Sequence, residues 1–437
     1  MTSRRDFLRR LAAGTAGAAL AGGLSISRGA HVAGDDTIRV ALIGCGGRGT
    51  GAAANCLNVK DRVKLVAVAD AFEERARGAK TSLKNQYGDK VDISEDHVFF
   101  GLDAYKTAIA CGVELVILAT PPGFRPVQYK AAVMAGKHVF MEKPCCTDAP
   151  GFRTLMEANQ IADRRRLKVG VGLQRRHDPS YLETIQRIHD GAIGDIVLLR
   201  VYWNMGNIWT RGRQADDTEM MYQVRNWQYF ACFGGDHIVE QHVHNLDVAN
   251  WIMAKGGDAR SAHPIEANGM GARQRRDEFP DTGHIYDHHF VEFTYADGAS
   301  LFSQCRQMPG CWGSVSESAR GLKGTSNCNG TISGQNPWHY SGPRVNPYQQ
   351  EHADLIRAIR KGERYQEGWH GAASSMTAVL GRMTTYSGQV VRWDDAVAKG
   401  EGLLPEKLAW DAAPPIVPDA KGSYRHAVAV PGVTKPY

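Results

Sequence analysis

Six residues that follow a short apolar run have the composition of a phosphate-binding turn. The run is Ile38–Ile43, and it leads into the sequence GCGGRG ahead of a stretch of small residues. In a G-x-G-x-x-G turn, the first glycine permits the tight turn, the second lets the backbone approach a pyrophosphate, and the third lets a helix pack on the strand. We therefore predict that a dinucleotide cofactor binds at Gly44, Gly46, Gly47, Arg48 and Gly49.

An acidic residue stands where a dinucleotide-binding fold needs one. A second apolar run, 63–69, ends at Asp70, which lies 21 residues after Gly49. A carboxylate here accepts hydrogen bonds from the adenosine ribose hydroxyls and repels a 2′-phosphate, so the sequence predicts NAD(H) rather than NADP(H). Arg75, one helical turn later, could soften this preference.

A third set of residues is specific enough to indicate a family. It comprises the tripeptide Ala-Thr-Pro at 119–121, the segment AGKHVFMEKP at 135–144, the segment 172–176 and the late segment 351–355. On these motifs the chain from Ile38 to about Asp395 resembles the Gfo/Idh/MocA oxidoreductases. The resemblance implies an α/β fold, with an N-terminal Rossmann domain built on a doubly wound parallel sheet. A C-terminal α/β domain with an open, mainly antiparallel sheet would follow it.

The resemblance also implies roles for three catalytic residues. Lys143 would face both the nicotinamide and the substrate, where it can hydrogen-bond the substrate hydroxyl and help to move its proton. His244 would be an acid/base partner at the same hydroxyl. Glu240 would be a positioning carboxylate, one methylene longer than the aspartate of many relatives. The spacing of Glu240, His244 and Asp247 predicts that these three side chains share one face of a helix.

Further residues near these motifs are expected to contact the cofactor. Besides the glycine turn and Asp70, they are Thr120, Pro121, Glu142, Lys143, Gln174 and Arg175. Arg125 departs from the family pattern, because relatives often have histidine after the Thr-Pro turn. The aromatic residues of 202–209, with Trp227 and Tyr229, suit either stacking on a sugar ring or packing in the core.

Histidines and cysteines do not form a recognisable metal motif. His237, His242 and His244 lie close to Glu240 in the sequence. However, His242 and His244 are two residues apart and would diverge on a helix, and no HExxH-like pair occurs. The nine cysteines include no CxxC pair, so neither a zinc ribbon nor a disulfide scaffold is indicated. We therefore predict no metal site.

The elements that must position these residues change in character along the chain. Apolar runs and helical patterns alternate as in a doubly wound sheet, and the predicted strands are 38–43, 63–69, 113–119, 138–141 and 167–171. After about residue 175, runs such as 196–203 alternate apolar and polar residues, as in an antiparallel sheet with one covered face. We predict an NAD-binding domain at 38–170, a substrate and oligomerisation domain at 171–395, and a tail at 396–437 that wraps the surface.

The first 33 residues have the pattern of an export leader. Residues 3–9 match the twin-arginine motif, with Arg9 where lysine is commoner. The apolar stretch 11–24 is too short to span a bilayer comfortably, so a periplasmic or otherwise exported protein without a membrane span in its mature form is predicted. Most of the formal net charge of +6 lies in this leader, so the near-neutral remainder gives no case for nucleic-acid binding.

These observations leave three functional hypotheses. The first is an exported NAD-dependent oxidoreductase that acts on a secondary hydroxyl of a sugar, sugar acid or cyclitol. Its tightly bound cofactor would be reduced and reoxidised by two substrates in turn, as in glucose–fructose oxidoreductase relatives. The second is a redox-neutral NAD-dependent glycoside hydrolase, which works by oxidation, elimination, addition of water and reduction. The third is a non-catalytic sugar-binding protein, against which Lys143 and His244 argue. Family analogy suggests a homodimer or homotetramer through the open sheet.

Overall fold

The computed structural model describes residues 36–258, 260, 262–279 and 281–437. The predicted leader, residues 1–33, lies outside the described residues, so its export motif stays a prediction. Within the described chain, no helix combines the length and the apolar character needed to cross a bilayer. Two β-sheets organise the fold.

The first sheet is parallel and carries the glycine turn. Its strands are β1 (Ile38–Ile43), β2 (Val63–Asp70), β3 (Val98–Phe100), β4 (Leu115–Leu118), β5 (His138–Met141) and β6 (Val169–Val171). They lie in the order β3-β2-β1-β4-β5-β6. The edge strand β3 was not predicted, because three residues are too few for an apolar run to reveal. The strand order reverses between β1 and β4, and ligands of such sheets bind beyond the carboxyl ends of the strands at that point.

Helices cover both faces of this sheet, which is why its central strands are apolar throughout. The helices are Gly47–Leu57, Glu73–Tyr87, Ala104–Ala110, Arg125–Met134 and Ala149–Arg164. Alternate residues of β1 belong to two separate hydrophobic clusters, with Ala41 and Ile43 in one and Val40 and Leu42 in the other. The glycine turn is therefore held between two packed layers.

The second sheet is mixed and mostly antiparallel. Its strands are β7 (Ile196–Met205), β8 (Glu266–Ala272), β9 (His288–Thr294), β10 (Ser300–Gln307), β11 (Ser314–Gly321), β12 (Gly324–Ser326), β13 (Thr331–Gly334), β14 (Trp338–His339) and β15 (Val391–Arg392). They lie in the order β14-β13-β12-β11-β7-β10-β9-β8-β15. β7 and β10 run parallel, whereas their other neighbours are antiparallel. The two sheets confirm the predicted fold class.

Helices of the C-terminal half carry several of the predicted site residues. They are Pro179–His189, Glu219–Arg225, Ala231–Gly234, His237–Glu240, Val243–Met253, Pro347–Lys361, Gly368–Ser387 and Trp393–Lys399. Helix Gly368–Ser387 is almost wholly buried, because it packs against both β8 and helix Ala149–Arg164. It therefore connects the layers of the two sheets.

A third hydrophobic cluster involves the C-terminal tail. Phe72 and Phe124, which follow β2 and β4, pack in this cluster with Phe230 and Tyr424. Trp410 packs on Phe72, with ring centroids 5.3 Å apart. The predicted surface tail is therefore in part a core element, since Tyr424 is fully buried.

Candidate active site

A cavity of about 540 Å³ lies at the carboxyl ends of the first sheet. Its volume is within the range of small-molecule sites. Most of the predicted site residues line it, namely Gly44, Gly46, Gly47, Arg48, Gly49, Asp70, Thr120, Pro121, Glu142, Lys143, Glu240 and His244. The fold therefore brings the cofactor motif and the catalytic candidates into one space.

The glycine turn has the geometry that pyrophosphate binding requires. Gly44 adopts a φ of +97°, in the left-handed region that favours glycine. A Cβ on Gly49 would lie 1.8 Å from the carbonyl oxygen of Gly44, so the helix and the turn are in direct contact. By contrast, a Cβ built on Gly46 or Gly47 would meet no atom of the described residues within 4 Å beyond its own stretch of backbone. This open backbone stands at the N-terminus of a helix, where an anion is stabilised.

The Asp70 carboxylate is fixed in place at the end of β2. Its Oδ2 accepts a hydrogen bond from the backbone N–H of Cys45 at 2.7 Å, and its Oδ1 accepts one from Phe72 at 3.0 Å. Burial raises the pKa of Asp70, and these two N–H groups oppose that rise. Each oxygen keeps a lone pair for a ribose hydroxyl. Together with the glycine turn, these residues fit a dinucleotide.

The wall beside Asp70 comes from the C-terminal half of the chain. Trp209, Arg211 and Trp227 line the cavity together with Arg75. The Arg211 guanidinium lies over the Trp209 ring at 4.8 Å. Burial lowers the pKa of Arg75, the charge of Asp70 opposes this, and the charge of Arg211 adds to it. The two tryptophans therefore stand at the Asp70 end of the cavity, although the sequence suggested sugar stacking or core packing for them.

Lys143 and Glu240 are in direct contact at the cavity wall. Lys143 Nζ donates to the backbone carbonyl oxygen of Glu240 at 2.6 Å and to its Oε1 at 3.0 Å. The two side chains are 15% and 13% exposed. The ammonium group is thus held in one position by a single partner residue from the other half of the chain.

His244 lines the same cavity and stacks on Trp203, with centroids 5.7 Å apart and an interplanar angle of 19°. Burial lowers the pKa of His244 well below its usual value, and the positive charges of Lys143 and Arg175 lower it further. Its Nδ1 is buried and has no hydrogen-bond partner in the described part of the chain. A neutral imidazole is the state that a general base requires.

The predicted helix through Glu240, His244 and Asp247 is interrupted. Helix His237–Glu240 ends at Glu240, and the next helix begins at Val243. Asp247 is buried away from the cavity, where it accepts hydrogen bonds from Arg176 at 2.9 Å and from Ser374 at 2.8 Å. The prediction of one shared helical face is wrong, because the helix is interrupted at Gln241 and His242 and Asp247 does not line the cavity with Glu240 and His244.

Arg48 connects the glycine turn to helix Pro347–Lys361. Its guanidinium pairs with Glu142 at 2.5 Å and with Glu351 at 3.3 Å. Burial raises the pKa of Glu351 well above its usual value, the charge of Glu142 adds to the rise, and the charge of Arg48 opposes it. The Arg48 guanidinium also lies over the Tyr348 ring at 4.8 Å. Arg48 and Glu142 therefore form a charged network at the cavity wall.

Two lining residues carry contacts that were not predicted. Gln128 Oε1 accepts a hydrogen bond from Thr120 Oγ1 at 2.6 Å. Arg125 is fully buried and donates to the carbonyl oxygens of Thr120 and Pro144. Its guanidinium thus joins the loop of Thr120 to the loop of Lys143. No local signal reveals this role, because arginine and glutamine are mostly exposed residues.

Gln174 and Arg175 lie outside the lining of the cavity. Gln174 donates to the Tyr348 hydroxyl at 3.1 Å. Arg175 donates to the carboxylate of Glu317 and lies 5.8 Å from the Tyr181 ring. Their contact with a cofactor stays a prediction.

Comparison with known proteins agrees with this geometry. A family model described as an oxidoreductase family with an NAD-binding Rossmann fold matches residues 38–173, which include the glycine turn and Lys143. This segment of the chain belongs to the Gfo/Idh/MocA family, and it contains the whole first sheet.

Relatives of known name match part of the chain. Inositol 2-dehydrogenase 1 of Saccharopolyspora erythraea is 33% identical over 163 residues, which are 37% of this chain and 44% of that protein. The scyllo-inositol 2-dehydrogenase (NADP(+)) of Bacillus subtilis is 28% identical over 223 residues, 50% of this chain and 54% of that protein. The chain therefore spans about half of the length of these curated relatives.

A solved structure shares the fold over most of the described chain. It is scyllo-inositol dehydrogenase from Lactobacillus casei with bound cofactor NAD(H) and scyllo-inositol. The TM-score is 0.60 at 18% sequence identity, and the match covers 82% of this chain and 99% of that chain. At this identity the similarity establishes the fold.

Proposed function

We propose that the protein transfers a hydride between a secondary carbinol of a cyclitol, sugar or sugar acid and a tightly held nicotinamide dinucleotide. The observation that carries the proposal is a single cavity lined by the glycine turn, Lys143 and His244. Membership of the oxidoreductase family and the inositol dehydrogenases among the relatives support the same class of reaction and substrate.

The bound nicotinamide would supply the hydride acceptor in oxidation and the hydride donor in reduction. His244, kept neutral by burial, takes the hydroxyl proton as the carbon is oxidised to a carbonyl. Lys143 donates a hydrogen bond to the same oxygen and stabilises the negative charge that develops there. Glu240 positions the ammonium group through its two contacts with Lys143. In reduction, His244 returns the proton to the oxygen.

Retention of the cofactor is supported by the wall beside Asp70. Arg211 exchanges two hydrogen bonds of 2.9 and 3.0 Å with Asn226, which holds the wall segment to the following helix. The tail strengthens this region, since Trp410 packs on Phe72. A dinucleotide in the cavity would lie between both halves of the chain, so its release would require movement of the wall.

Export through the twin-arginine route would make such retention necessary, because nicotinamide cofactors are made and recycled in the cytoplasm. Each turnover would then have to restore the cofactor on the protein, so two substrates would be oxidised and reduced in turn. Steady-state kinetics with pairs of polyols and carbonyl compounds test this point. Parallel double-reciprocal lines support the alternating scheme, whereas free exchange with added NAD⁺ during turnover would contradict it.

NAD(H) is the proposed cofactor. The Asp70 carboxylate, held by Cys45 and Phe72, would repel a 2′-phosphate. Arg75 lies close to Asp70 and Arg211 lies close to Arg75, and their positive charges reduce this repulsion; one relative is named for NADP(+). Mass spectrometry of the nucleotide that is released by denaturing the native protein decides between the two. Release of NADP(H) would overturn the assignment.

The experiment that tests the proposed chemistry compares two lysine variants. Lys143→Met should lower turnover by about 10²- to 10⁴-fold on a substrate found by screening cyclitols and aldoses. Lys130→Met, whose exposed ammonium pairs with Glu157 at 2.6 Å, is the matched control and should keep full activity. Undiminished turnover in Lys143→Met would refute the role of Lys143. A protein that neither contains nor binds a nicotinamide dinucleotide would refute the function.

The same groups also suit a redox-neutral glycoside hydrolase. The specific observation is that burial and the positive charge of Lys143 both lower the pKa of His244. The site therefore offers one neutral base and one cation, which are the groups that transient oxidation of a sugar requires. Incubation with aryl glycosides separates the two functions. Release of the phenol without accumulation of NADH supports hydrolysis, whereas dependence on a second carbonyl substrate supports the oxidoreductase.

A homodimer or homotetramer through the second sheet is the proposed assembly. Met270 on β8 is a large apolar side chain that remains exposed, and it is paired in register with Phe290 on β9, so the two side chains lie on one face of the sheet. A contiguous exposed apolar patch marks an interaction surface. Light scattering after size exclusion should give twice or four times the mass of one chain, and a monomer at micromolar concentration would contradict the proposal.

A further inference from the structure

Three side chains of the kinds that bind metal ions form a buried cluster outside the cavity. One potential ligand atom from each of Asp236, His237 and His289 lies within 4.8 Å of the others. The three residues are 0%, 2% and 3% exposed. Asp236 and His237 stand at the start of helix His237–Glu240, and His289 comes from β9. The cluster therefore joins two parts of the chain that are distant in sequence.

His237 is the unusual member of the cluster. Both of its ring nitrogens are buried, and neither has a hydrogen-bond partner among the described residues. Buried polar atoms are almost always partnered in folded proteins, and an unpartnered one costs about 1–3 kcal/mol. His289 hydrogen-bonds Thr385 through Nδ1 at 2.9 Å and turns its Nε2 to within 3.3 Å of Asp236 Oδ2. One nitrogen of each imidazole therefore lies in the cluster.

Asp236 is held in an orientation that serves such a ligand. Its backbone adopts a φ of +73°, which is uncommon for a residue other than glycine and costs about 1–3 kcal/mol. Its Oδ2 accepts hydrogen bonds from the Tyr286 backbone N–H at 3.0 Å and from the Tyr386 hydroxyl at 2.6 Å. Ligating carboxylates are oriented by hydrogen bonds of this kind.

We propose that Asp236, His237 and His289 bind a divalent first-row transition-metal ion, of which zinc is the best match. Two imidazole nitrogens and one carboxylate oxygen are a zinc donor set, and the same set also binds iron(II). Ligand atoms around tetrahedral zinc are about 3.3–3.5 Å apart. The three donors would therefore move together by about 1 Å on binding, and water or the Tyr386 hydroxyl completes the coordination.

The sequence did not reveal this site because its third ligand is remote. The prediction of no metal site weighed His242 and His244, but His242 hydrogen-bonds Ser303 at 2.8 Å and His244 lines the cavity. The fold instead brings His289 to His237, with ring centroids 4.8 Å apart. An expectation based on spacing along one helix cannot include a residue from a neighbouring strand.

The bound ion would act as a structural element. None of its three ligands lines the cavity, so a substrate does not reach it. His237 and Glu240 belong to the same helical turn, and Glu240 holds Lys143 through two contacts. The ion therefore fixes the turn that presents Glu240. Metal binding itself is independent of the proposed function.

Metal analysis of the protein without an affinity tag tests the site. Multi-element mass spectrometry of wild-type protein, dialysed against metal-free buffer, should find about one equivalent of zinc or iron per chain. Treatment with a strong chelator should lower the melting temperature, and added Zn²⁺ should restore it. Cobalt(II) substitution should give the visible absorption of a tetrahedral site.

Two variants localise the ion. His237→Phe should reduce the metal content to below about 0.1 equivalents, because it fills the space and removes a ligand. His242→Gln removes another buried imidazole from the next turn and should keep the full content. Wild-type protein without metal, and with a melting temperature that Zn²⁺ leaves unchanged, would overturn the proposal and leave a buried histidine–aspartate network. Equal metal content in the two variants would also overturn it. The wild-type measurements decide the matter even if His237→Phe does not fold.

Discussion

Alanine substitutions at two glycines of the same turn should separate folding from cofactor binding. Gly49→Ala places a methyl carbon 1.8 Å from the carbonyl oxygen of Gly44, whereas real Cβ atoms essentially never come within 3.0 Å of such an atom. The helix must therefore move away from the turn by about 1 Å or more. Because the contact is with backbone, no side-chain rotation relieves it. We expect a loss of about 3 kcal/mol or more of unfolding free energy, at the upper end for overpacking.

Gly46→Ala should have the opposite effect, because it should keep most of the unfolding free energy and weaken cofactor binding. No atom lies within 4 Å of the added Cβ, and the extended backbone of Gly46, with φ −70° and ψ −180°, suits alanine. As a helix N-cap, alanine should cost about 1 kcal/mol or less relative to glycine. The methyl group would stand on the backbone surface that a pyrophosphate approaches. Loss of one charge-assisted hydrogen bond, worth about 1.5–3 kcal/mol, would raise the cofactor Kd by about 10- to 100-fold.

The assay combines thermal unfolding of nucleotide-free protein with calorimetric titration of the cofactor. Gly49→Ala should lower the melting temperature, whereas Gly46→Ala should stay within about 4 °C of wild type and lose affinity. Gly78→Ala is the matched control, because its Cβ also meets open space but lies in helix Glu73–Tyr87, outside the cavity. A wild-type Kd in Gly46→Ala would show that the turn does not hold the pyrophosphate, and the cofactor assignment would fail.

Three further predictions concern the catalytic base, the charged network and the tail. His244→Gln should lower kcat by about 10²- to 10⁴-fold. In the wild-type protein, kcat/KM should stay level as the pH falls through 6.5, because burial depresses the pKa of His244. A loss of kcat/KM centred near pH 6.5 would contradict this. Burial raises the pKa of Glu351, so the folded state favours its neutral form. The free energy of unfolding therefore falls as the pH rises above about 4.3, the pKa of a glutamate in the unfolded chain. Arg48→Met should increase the loss of unfolding free energy between pH 5 and pH 8 by about 1–2 kcal/mol, a value reduced to allow for the partial exposure of Arg48. Urea unfolding measures this loss, and the same pH dependence as in the wild type would refute the prediction. Trp410→Ala should speed cofactor release by about tenfold or more, since it removes the packing on Phe72; an unchanged release rate in a chase with excess nucleotide would exclude this role of the tail.

Local sequence patterns were sufficient for the parallel sheet and for the cofactor turn. Five of its six strands contain apolar runs, because a sheet covered on both faces needs apolar residues throughout. The positions of Gly44, Gly46 and Gly49 follow from backbone geometry alone, so they can be recognised without a fold. The alternation of apolar and polar residues along the run 196–203, which lies in β7, likewise predicted the antiparallel second sheet.

Interactions between distant residues could not be obtained in this way. The spacing of Glu240, His244 and Asp247 suggested one helix, but the helix is interrupted after Glu240, and Asp247 accepts hydrogen bonds from Arg176 and Ser374. Helical periodicity describes a continuous helix and contains no information on where tertiary contacts interrupt it. The hydrogen-bond partners of Gln174 and Arg175 also come from other elements, so their positions in the sequence could not indicate these contacts.

The amino-acid sequence by itself determined the dinucleotide turn, because the stereochemistry of a turn depends on consecutive residues, and its resemblance to the Gfo/Idh/MocA oxidoreductases indicated Lys143 and His244 as catalytic candidates. Only the tertiary structure decided that Glu240 holds Lys143, that burial keeps His244 neutral, and that His289 meets His237. Contact, burial and electrostatic environment depend on which distant segments pack together, and that choice is made by the whole chain.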